Sequence, residues 1–520
     1  MADIVVINPR FEKSYWGLEY ALGLFGKRAN MPVSALPLLA ALTPPEHNVR
    51  LLDENVEEID YDLCAKADIV GLTGMTVQKF RMKEIITELK RRGCFVVVGG
   101  PWVSVQEDYF GNLADVIFVG EAEETWPRFL EEWQAGSYAK RYEQTERTDM
   151  TKVPAPRYDL LQMKHYALAS IQFSRGCPFT CEFCDIIVTF GRKPRLKTSA
   201  QIINELEALR KIRDARAIFI VDDNLIGNKK AVKQILREVV AWQKKHDYPV
   251  SFVTEASLDL ADDEELIALM DEANIRAVFV GIETPNEDSL KETGKKQNLR
   301  SSKERTIAEK VHAIQAHGIE VWSGMIVGFD NDGPDIFERQ VRFIEQARIV
   351  HTSVGMLSAI PKTPLYQRLA EAGRLDPAER SEYGTNVIPL GMDRQTLRDG
   401  FLSVLRDLYH PDAYFARIDA LFLDRGLKES AARQAHLRGR PWRRFAMQLE
   451  ALLQTIVIFI RLETVLTEKD LRRRYRRAML NALRRRPSPF VLQAYALKSV
   501  FHYHYHRLIG SMGEGLVNIF

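Results

Sequence analysis

Short, almost wholly aliphatic runs, set between helical patterns, constrain this chain more than any other feature. Five lie in its first 135 residues: Ile4–Pro9, Val49–Asp53, Ile69–Thr73, Phe95–Gly99 and Val116–Gly120. A half-exposed strand alternates apolar and polar side chains. A run that is aliphatic throughout fits a parallel strand covered on both faces. Between the third and fourth runs, Val77–Arg92 sets Met82, Ile85, Ile86 and Leu89 on one helical face. Such alternation predicts a doubly wound, Rossmann-like sheet over residues 1–135. Gly71, Gly74, Gly99-Gly100-Pro101 and Gly120 fall in or just after the strands, mostly at carboxyl ends. Open sheets bind ligands there, and glycine lets the backbone approach them.

Residues 136–165 read as a polar linker broken by Pro154 and Pro156. A second strand–helix series occupies 166–363, with strands expected at Ile171–Ser174, Ala217–Val221, Val250–Thr254, Ala277–Ile282, Val321–Val327 and Ser353–Ile360. Six strands predict a partial (β/α)6 barrel, open on one side. Thr198 and Gln201 form a capping-box pattern before a helix over Ile202–Ile212. From 364 to 520 strand-like runs stop, and helices are expected at Leu397–Leu408, Ala413–Leu423, Phe445–Leu462, Glu468–Leu483 and Phe490–Arg507.

The first barrel strand leads into Cys177-Pro-Phe-Thr-Cys181-Glu-Phe-Cys184, three of the chain's five cysteines within eight residues. That is metal-site spacing, not a disulfide framework, and it implies a reducing compartment. Zinc would want a fourth nearby ligand, and Cys64 and Cys94 belong to the first domain. An iron–sulfur cluster held by three thiolates keeps one iron open for a substrate.

This motif, with Phe183 just before its third cysteine, resembles that of the radical S-adenosylmethionine superfamily. The resemblance implies a [4Fe–4S] cluster on Cys177, Cys181 and Cys184, whose open iron chelates S-adenosylmethionine, with Phe183 near the adenine. It also assigns strand-end residues to that cofactor: Asp222 and Asp223 near its ammonium, Glu255 and Ser257 near ribose and carboxylate, and Glu283 in a Gly-Ile-Glu segment. Ser323–Phe329 and Ala359–Pro364 resemble the family's fifth and sixth strand signatures. Arg192 and Arg195, just after the cluster loop, are of a type that binds carboxylate or phosphate bidentately, or are solvated surface.

The first domain resembles the cobalamin-binding domain of one large radical subfamily. Thr73-Gly74-Met75-Thr76, Gly99-Gly100-Pro101 and Gly120-Glu121 carry this likeness and are the expected cobalamin contacts. There is no Asp-x-His-x-x-Gly, and the only histidine before position 165 is His47, so cobalt should have no histidine ligand from the protein. The segments Ser14–Glu19 and Phe190–Arg195 and the helical tail resemble the subfamily that includes hopanoid methylases.

These likenesses imply a cobalamin-dependent radical methyltransferase acting on an unactivated carbon, with a small-molecule or lipid substrate between facing strand ends. Its electron donor would be a flavodoxin or ferredoxin. Two alternatives stay open: a cyclase or rearrangement enzyme using the same cofactors, and a cobalamin- or metal-binding sensor. Net charge is only +2, which argues against a nucleic-acid partner. No signal peptide is visible and no apolar run approaches a membrane span, so a cytoplasmic protein is expected. Residues 421–520, however, carry 19 Lys and Arg against 7 Asp and Glu. That excess suits either peripheral contact with the inner membrane face or arginines that dock the tail. The apolar run Thr455–Ile460 reads as a buried helix segment or part of a membrane-surface helix. His502, His504 and His506 cannot share one helical face and are expected to pack, not bind metal.

Overall fold

A computed structural model describes residues 1–212, 215–299 and 305–512. The five aliphatic runs form β1 (Asp3–Asn8), β2 (Asn48–Asp53), β3 (Ile69–Thr73), β4 (Val96–Gly99) and β5 (Val116–Val119). All pair in parallel, in the order β2-β1-β3-β4-β5. The order reverses between β1 and β3, which opens a crevice at their carboxyl ends. Every residue of β3 is buried. One face of the sheet packs on Met82, Ile85, Ile86 and Leu89 of helix Lys79–Arg91, the other on Trp126 and Phe129.

The stretch read as linker supplies a sixth strand, β6 (Arg141–Glu143), parallel to β5. Only Tyr142 of the three is buried, its ring stacked 5.3 Å from Phe118. Arg141 and Glu143 stay at the surface as an ion pair. An edge strand with one apolar residue leaves no aliphatic run to read.

The second sheet consists of β7 (Ala169–Ile171), β10 (Ala217–Ile220), β11 (Ser251–Glu255), β12 (Ile275–Glu283), β13 (Glu320–Val327) and β14 (Thr352–Met356). A short antiparallel pair, β8 (Ser174–Arg175) and β9 (Arg195–Leu196), brackets the cysteine loop. The six parallel strands pair in chain order from β7, β10 through to β14. The two edges, β7 and β14, do not pair with each other, so the barrel is open. Thr198 and Gln201 make the expected capping box.

The tail is helical, in Arg394–Leu408, Pro411–Ile418, Ala431–Arg438, Pro441–Val465, Lys469–Arg485 and Pro489–Ser511. Residues near both ends of the chain cover the inner face of the barrel. Trp16 lies 4.8 Å from Phe279 and 6.5 Å from Phe219, and Tyr15 stacks 4.7 Å from Tyr505. His502 and His504 are fully buried and hydrogen-bonded to the Tyr409 and Ser14 carbonyls, while His506 pairs with Glu468. His502 and His504 serve packing, and His506 lies at the surface.

Two readings of the tail need correction. Thr455–Ile460 is not buried as a segment: Thr455 and Ile458 face inward, while Ile456, Val457 and Ile460 face water. Helix Pro441–Val465 is also long and apolar enough to cross a membrane by length and composition. Gln448, Glu450 and Gln454 interrupt its runs and hide that average. Arg474–Asp412, Arg476–Glu463 and Arg485–Asp424 tie the tail helices to one another rather than to the barrel, which the tail meets through Lys498–Glu320 and Glu450–Arg216.

Candidate active site

The cysteine loop starts where Gly176 turns the chain at φ +91°, a conformation L side chains rarely adopt. A β-carbon there would sit 2.9 Å from the Gly191 carbonyl. The loop is pinned at both ends: Cys177 N–H donates to Gly191, and Glu182 N–H donates to Thr293. The Glu182 carboxylate pairs with Arg368 at 2.6 Å. Asn224 Nδ2 lies 3.8 Å from Cys177 Sγ, and Gln297 Nε2 lies 3.5 Å from Cys181 Sγ. Amide donors aimed at sulfur suit cluster thiolates, whose charge they share. Burial pushes the Cys177 and Cys184 thiols up, so their ionised forms need a cation such as iron beside them. Among the described residues no three thiols, imidazoles or carboxylates converge on a point as ligands of one metal ion do. A cubane presents a different iron to each sulfur and does not require it.

The strand-end residues divide by what they already hold. Asp222 is 1 % exposed and accepts from Phe173 N at 2.7 Å and Ser174 Oγ at 2.6 Å, tying β10 to the start of the loop. Asp223 accepts from Gly176 N at 2.7 Å. Ser257 and Asn224 hydrogen-bond each other at 3.1 Å. Glu283, at φ +67°, pairs with Lys295 at 2.5 Å. Glu255 alone accepts no hydrogen bond among the described residues. Burial, then the nearby Asp223 and Asp222, push its carboxyl up to about 8. Burial likewise brings Asp222 to about 7 and Asp223 to about 6. An incoming cation favours the ionised forms of Glu255 and Asp223 beside the cluster loop, and S-adenosylmethionine carries a sulfonium and an ammonium. The Phe183 ring lies 6.1 Å from Phe329, with the Lys295 ammonium 5.8 Å from its centroid.

Lys295 and Gln297 were not singled out from sequence, although they approach the glutamate and a cysteine. Their run, Gly294-Lys-Lys-Gln-Asn298, looks like any polar loop. Asn298 Nδ2 donates to the Gly281 and Ile282 carbonyls, which fixes the run against the Gly-Ile-Glu segment.

The carboxyl ends of β3 and β4 form a small cradle. Gly100 adopts φ +97°, and a β-carbon there would lie 2.5 Å from Thr73 Oγ1 and 2.9 Å from Gly74 N. Trp102 N–H donates to Gly74 O, closing the two loops on each other. Gln78 is buried at the crevice and donates to Asn8 Oδ1 at 2.9 Å while accepting from Met75 N at 2.9 Å. This leaves Met75 and Val77 as exposed apolar side chains, 47 % and 39 % accessible, above the crevice. A backbone without side chains plus an exposed apolar rim fits a flat macrocycle such as a corrin. His47 bonds to Ala2 N before β1 begins, at the opposite end of the sheet.

Glu121 and Pro101 lie at the contact between the two sheets. The Glu121 carboxylate accepts from Arg175 at 2.8 Å, from Arg195 at 3.0 Å and from Thr148 N at 3.0 Å. Glu123 pairs with Arg175 at 2.6 Å. Gly120, at φ +84°, turns the chain into this cluster. Arg195 is thereby engaged, whereas Arg192 is exposed. Helix Pro101–Val105 packs on helix Ile186–Thr189, and Lys362 Nζ reaches Ser104 O at 2.8 Å. The carboxyl ends of the two sheets therefore face each other, as expected.

Residues 171–344 match the radical SAM superfamily, 30–130 a B12 binding domain, and 363–516 a domain of unknown function. An uncharacterized methyltransferase of Synechocystis (sll1242) is 41 % identical over 81 % of this chain and 79 % of its own length. The hopanoid C-2 methylase of Rhodopseudomonas palustris is 37 % identical over 80 % and 78 %. Among solved structures, the radical methyltransferase TsrM from Kitasatospora setae, with cobalamin and [4Fe–4S] cluster bound, superposes with a TM-score of 0.59 at 17 % identity, covering 80 % of this chain and 90 % of that one. The cobalamin-dependent radical enzyme OxsB gives 0.61 at 14 % identity, covering 99 % and 82 %.

Proposed function

We propose that this chain, which belongs to the cobalamin-binding radical S-adenosylmethionine methyltransferases, methylates an unactivated carbon of a small hydrophobic, polycyclic molecule. The observation that carries the substrate class is the inner face of the barrel. Strand alternation and register place Glu255, Phe279 and Trp322 in one row below the cysteine loop, and Phe219 and Trp16 extend it as an aromatic wall. Such a wall takes an apolar skeleton and excludes water. The named relative that methylates hopanoids supports the same class.

The cofactors, when bound, supply what side chains cannot: hydrogen-atom abstraction from an unactivated C–H bond and a transferable methyl group. The chain's residues position them. Cys177, Cys181 and Cys184 hold the cluster. Glu255 and Asp223 face the cationic part of S-adenosylmethionine, Phe183 its adenine, and Ser257 and Glu283, the latter through Lys295, its polar remainder; Asp222 braces the loop from behind. Thr73–Thr76 and Gly99–Pro101 receive the corrin, and Glu121 fixes its domain against the cluster loop. A small flavodoxin or ferredoxin supplies the electron. The setting is the reducing cytoplasm, and nucleic acid is no partner.

Anaerobic turnover with dithionite and methyl-labelled S-adenosylmethionine tests this. A detergent-solubilised polycyclic lipid should gain one labelled methyl for each 5′-deoxyadenosine released. 5′-Deoxyadenosine with an unmethylated, rearranged product would establish the cyclase alternative, and its absence would leave a sensor.

A further inference from the structure

Helix Pro441–Val465 is held to the protein along one face only. Thr455, Ile458 and Leu462 are buried against helix Pro489–Ser511, Arg461 donates to Leu24 O, and Glu450 pairs with Arg216. The opposite face carries Trp442, Phe445, Leu449, Leu453, Ile456 and Ile460, spaced by three or four residues. Each is at least 44 % exposed, and Trp442 is 85 % exposed. Soluble proteins rarely leave so continuous an apolar stripe in water unless something covers it.

Three observations select the cover. The helix has the length and apolarity of a membrane span, yet its buried face and the Glu450–Arg216 pair fasten it lengthwise to the body. It cannot stand upright across a bilayer and can only lie in the plane of one. Its first turn sets the exposed Arg443 and Arg444 on either side of Trp442 and Phe445, the mixture that settles at lipid headgroups. The next helix repeats the mixture, exposing Leu480 and Leu483 beside Arg477 and Arg484, which have no ion-pair partner among the described residues. A second copy of this chain would bring its arginines against these, whereas anionic headgroups neutralise them.

We propose that this face docks on an anionic phospholipid bilayer, with helix Pro441–Val465 half-sunk in the headgroup plane. The docking deepens the reading of a hydrophobic substrate, which would then enter from the bilayer, and rests on it only for that purpose.

The test reads lipid binding without turnover. Full-length reconstituted protein is sedimented with vesicles of phosphatidylglycerol and phosphatidylcholine, or of phosphatidylcholine alone, at low and high salt. Wild type should pellet with the anionic vesicles and be released by salt. Arg443→Gln with Arg444→Gln should weaken binding roughly 25-fold, from about fivefold for each basic residue at such a surface. Ile456→Glu with Ile460→Glu should abolish it while leaving cluster content and S-adenosylmethionine cleavage intact, because both side chains are exposed. Trp442 fluorescence should be quenched by brominated lipid. Absence of pelleting, or pelleting that ignores lipid charge and both double variants, overturns the proposal. A wild-type dimer in solution that Ile456→Glu with Ile460→Glu dissociates, with no lipid binding, overturns it in favour of self-association. Methylation of detergent-solubilised substrate is scored separately, so loss of docking and loss of the methyltransferase reading give different results.

Discussion

Glu121 and Arg175 join the two cofactor domains, and the strength of that joint is measurable. The Glu121 side chain is 2 % exposed and that of Arg175 8 %, so removing either partner leaves a buried charge. Breaking a buried pair costs about 3–5 kcal/mol. Glu121→Ala should fall at the lower end, because Arg175 keeps Glu123 at 2.6 Å and Arg195 keeps the Thr148 carbonyl at 2.6 Å. Arg175→Met should fall at the upper end, since it strands Glu123 without a cation. The chain has several domains and will not unfold in one step, so the readout is native-state hydrogen exchange. Peptides covering Gly120–Thr125 and Arg175–Cys181 should exchange about 150-fold faster in Glu121→Ala, the equivalent of about 3 kcal/mol in local opening. The double variant should cost less than the two singles combined, because losing both partners leaves less uncompensated charge. Burial alone would raise the Glu121 carboxyl, but Arg175, the Thr148 N–H and Arg195 outweigh it and hold it low. Its contribution is therefore complete above the ordinary glutamate range near 4.3 and is lost as pH falls below it. Single-variant exchange within about fivefold of wild type, or strict additivity in the double, would refute the clamp.

Other outcomes follow from the same geometry. Reconstituted protein should carry about four irons, and alanine at Cys177, Cys181 or Cys184 should remove cluster and S-adenosylmethionine cleavage together, whereas alanine at Cys64 or Cys94 should spare both, by iron assay and 5′-deoxyadenosine release. Glu255→Gln should weaken S-adenosylmethionine binding about 10–100-fold, the loss of one charged hydrogen bond; in wild type, affinity should rise with pH as this carboxyl ionises towards about 8, and a calorimetric titration that stays flat with pH would disprove its role. Gly100→Ala should abolish cobalamin binding, read by absorbance, since its β-carbon meets Thr73 and Gly74; His47→Ala should leave the cob(II)alamin paramagnetic spectrum unchanged. Burial, the largest cause, lowers His502 to about 3 and His504 to about 4. With unfolded values near 6.5, their stabilising effect is complete above that pH and erodes as pH falls, by at most about 2.7 kcal/mol per pH unit for the pair; His502→Gln should flatten this part of the pH dependence of native-state hydrogen exchange in helix Pro489–Ser511.

The sequence exposed what depends on local pattern. Parallel strands covered on both sides must be aliphatic, so β1 to β5 could be read directly, and the cysteine spacing named the cluster loop. Other features escaped because they depend on partners distant in the chain. β6 is a strand only because Tyr142 finds Phe118. Glu121 has the look of a strand-end ligand contact until Arg175 and Arg195 fold against it. Thr455–Ile460 looks like core, but helical rotation turns half of it outward, and only the neighbouring helix decides which half. Lys295 and Gln297 likewise acquire meaning only when their loop is laid over Glu283 and Cys181.

The meeting of Tyr20 with His504, whose N–H···Nδ1 bond joins residues 484 apart in the chain, has a kinetic consequence. The aromatic segment around Trp16 is made long before helix Pro489–Ser511. At about 5–20 residues per second, Trp16 and the inner barrel wall wait on the order of 25–100 s for their cover. The half-made enzyme thus passes through a stage in which the inner barrel wall is uncovered, and a chain truncated before residue 498 should remain in it.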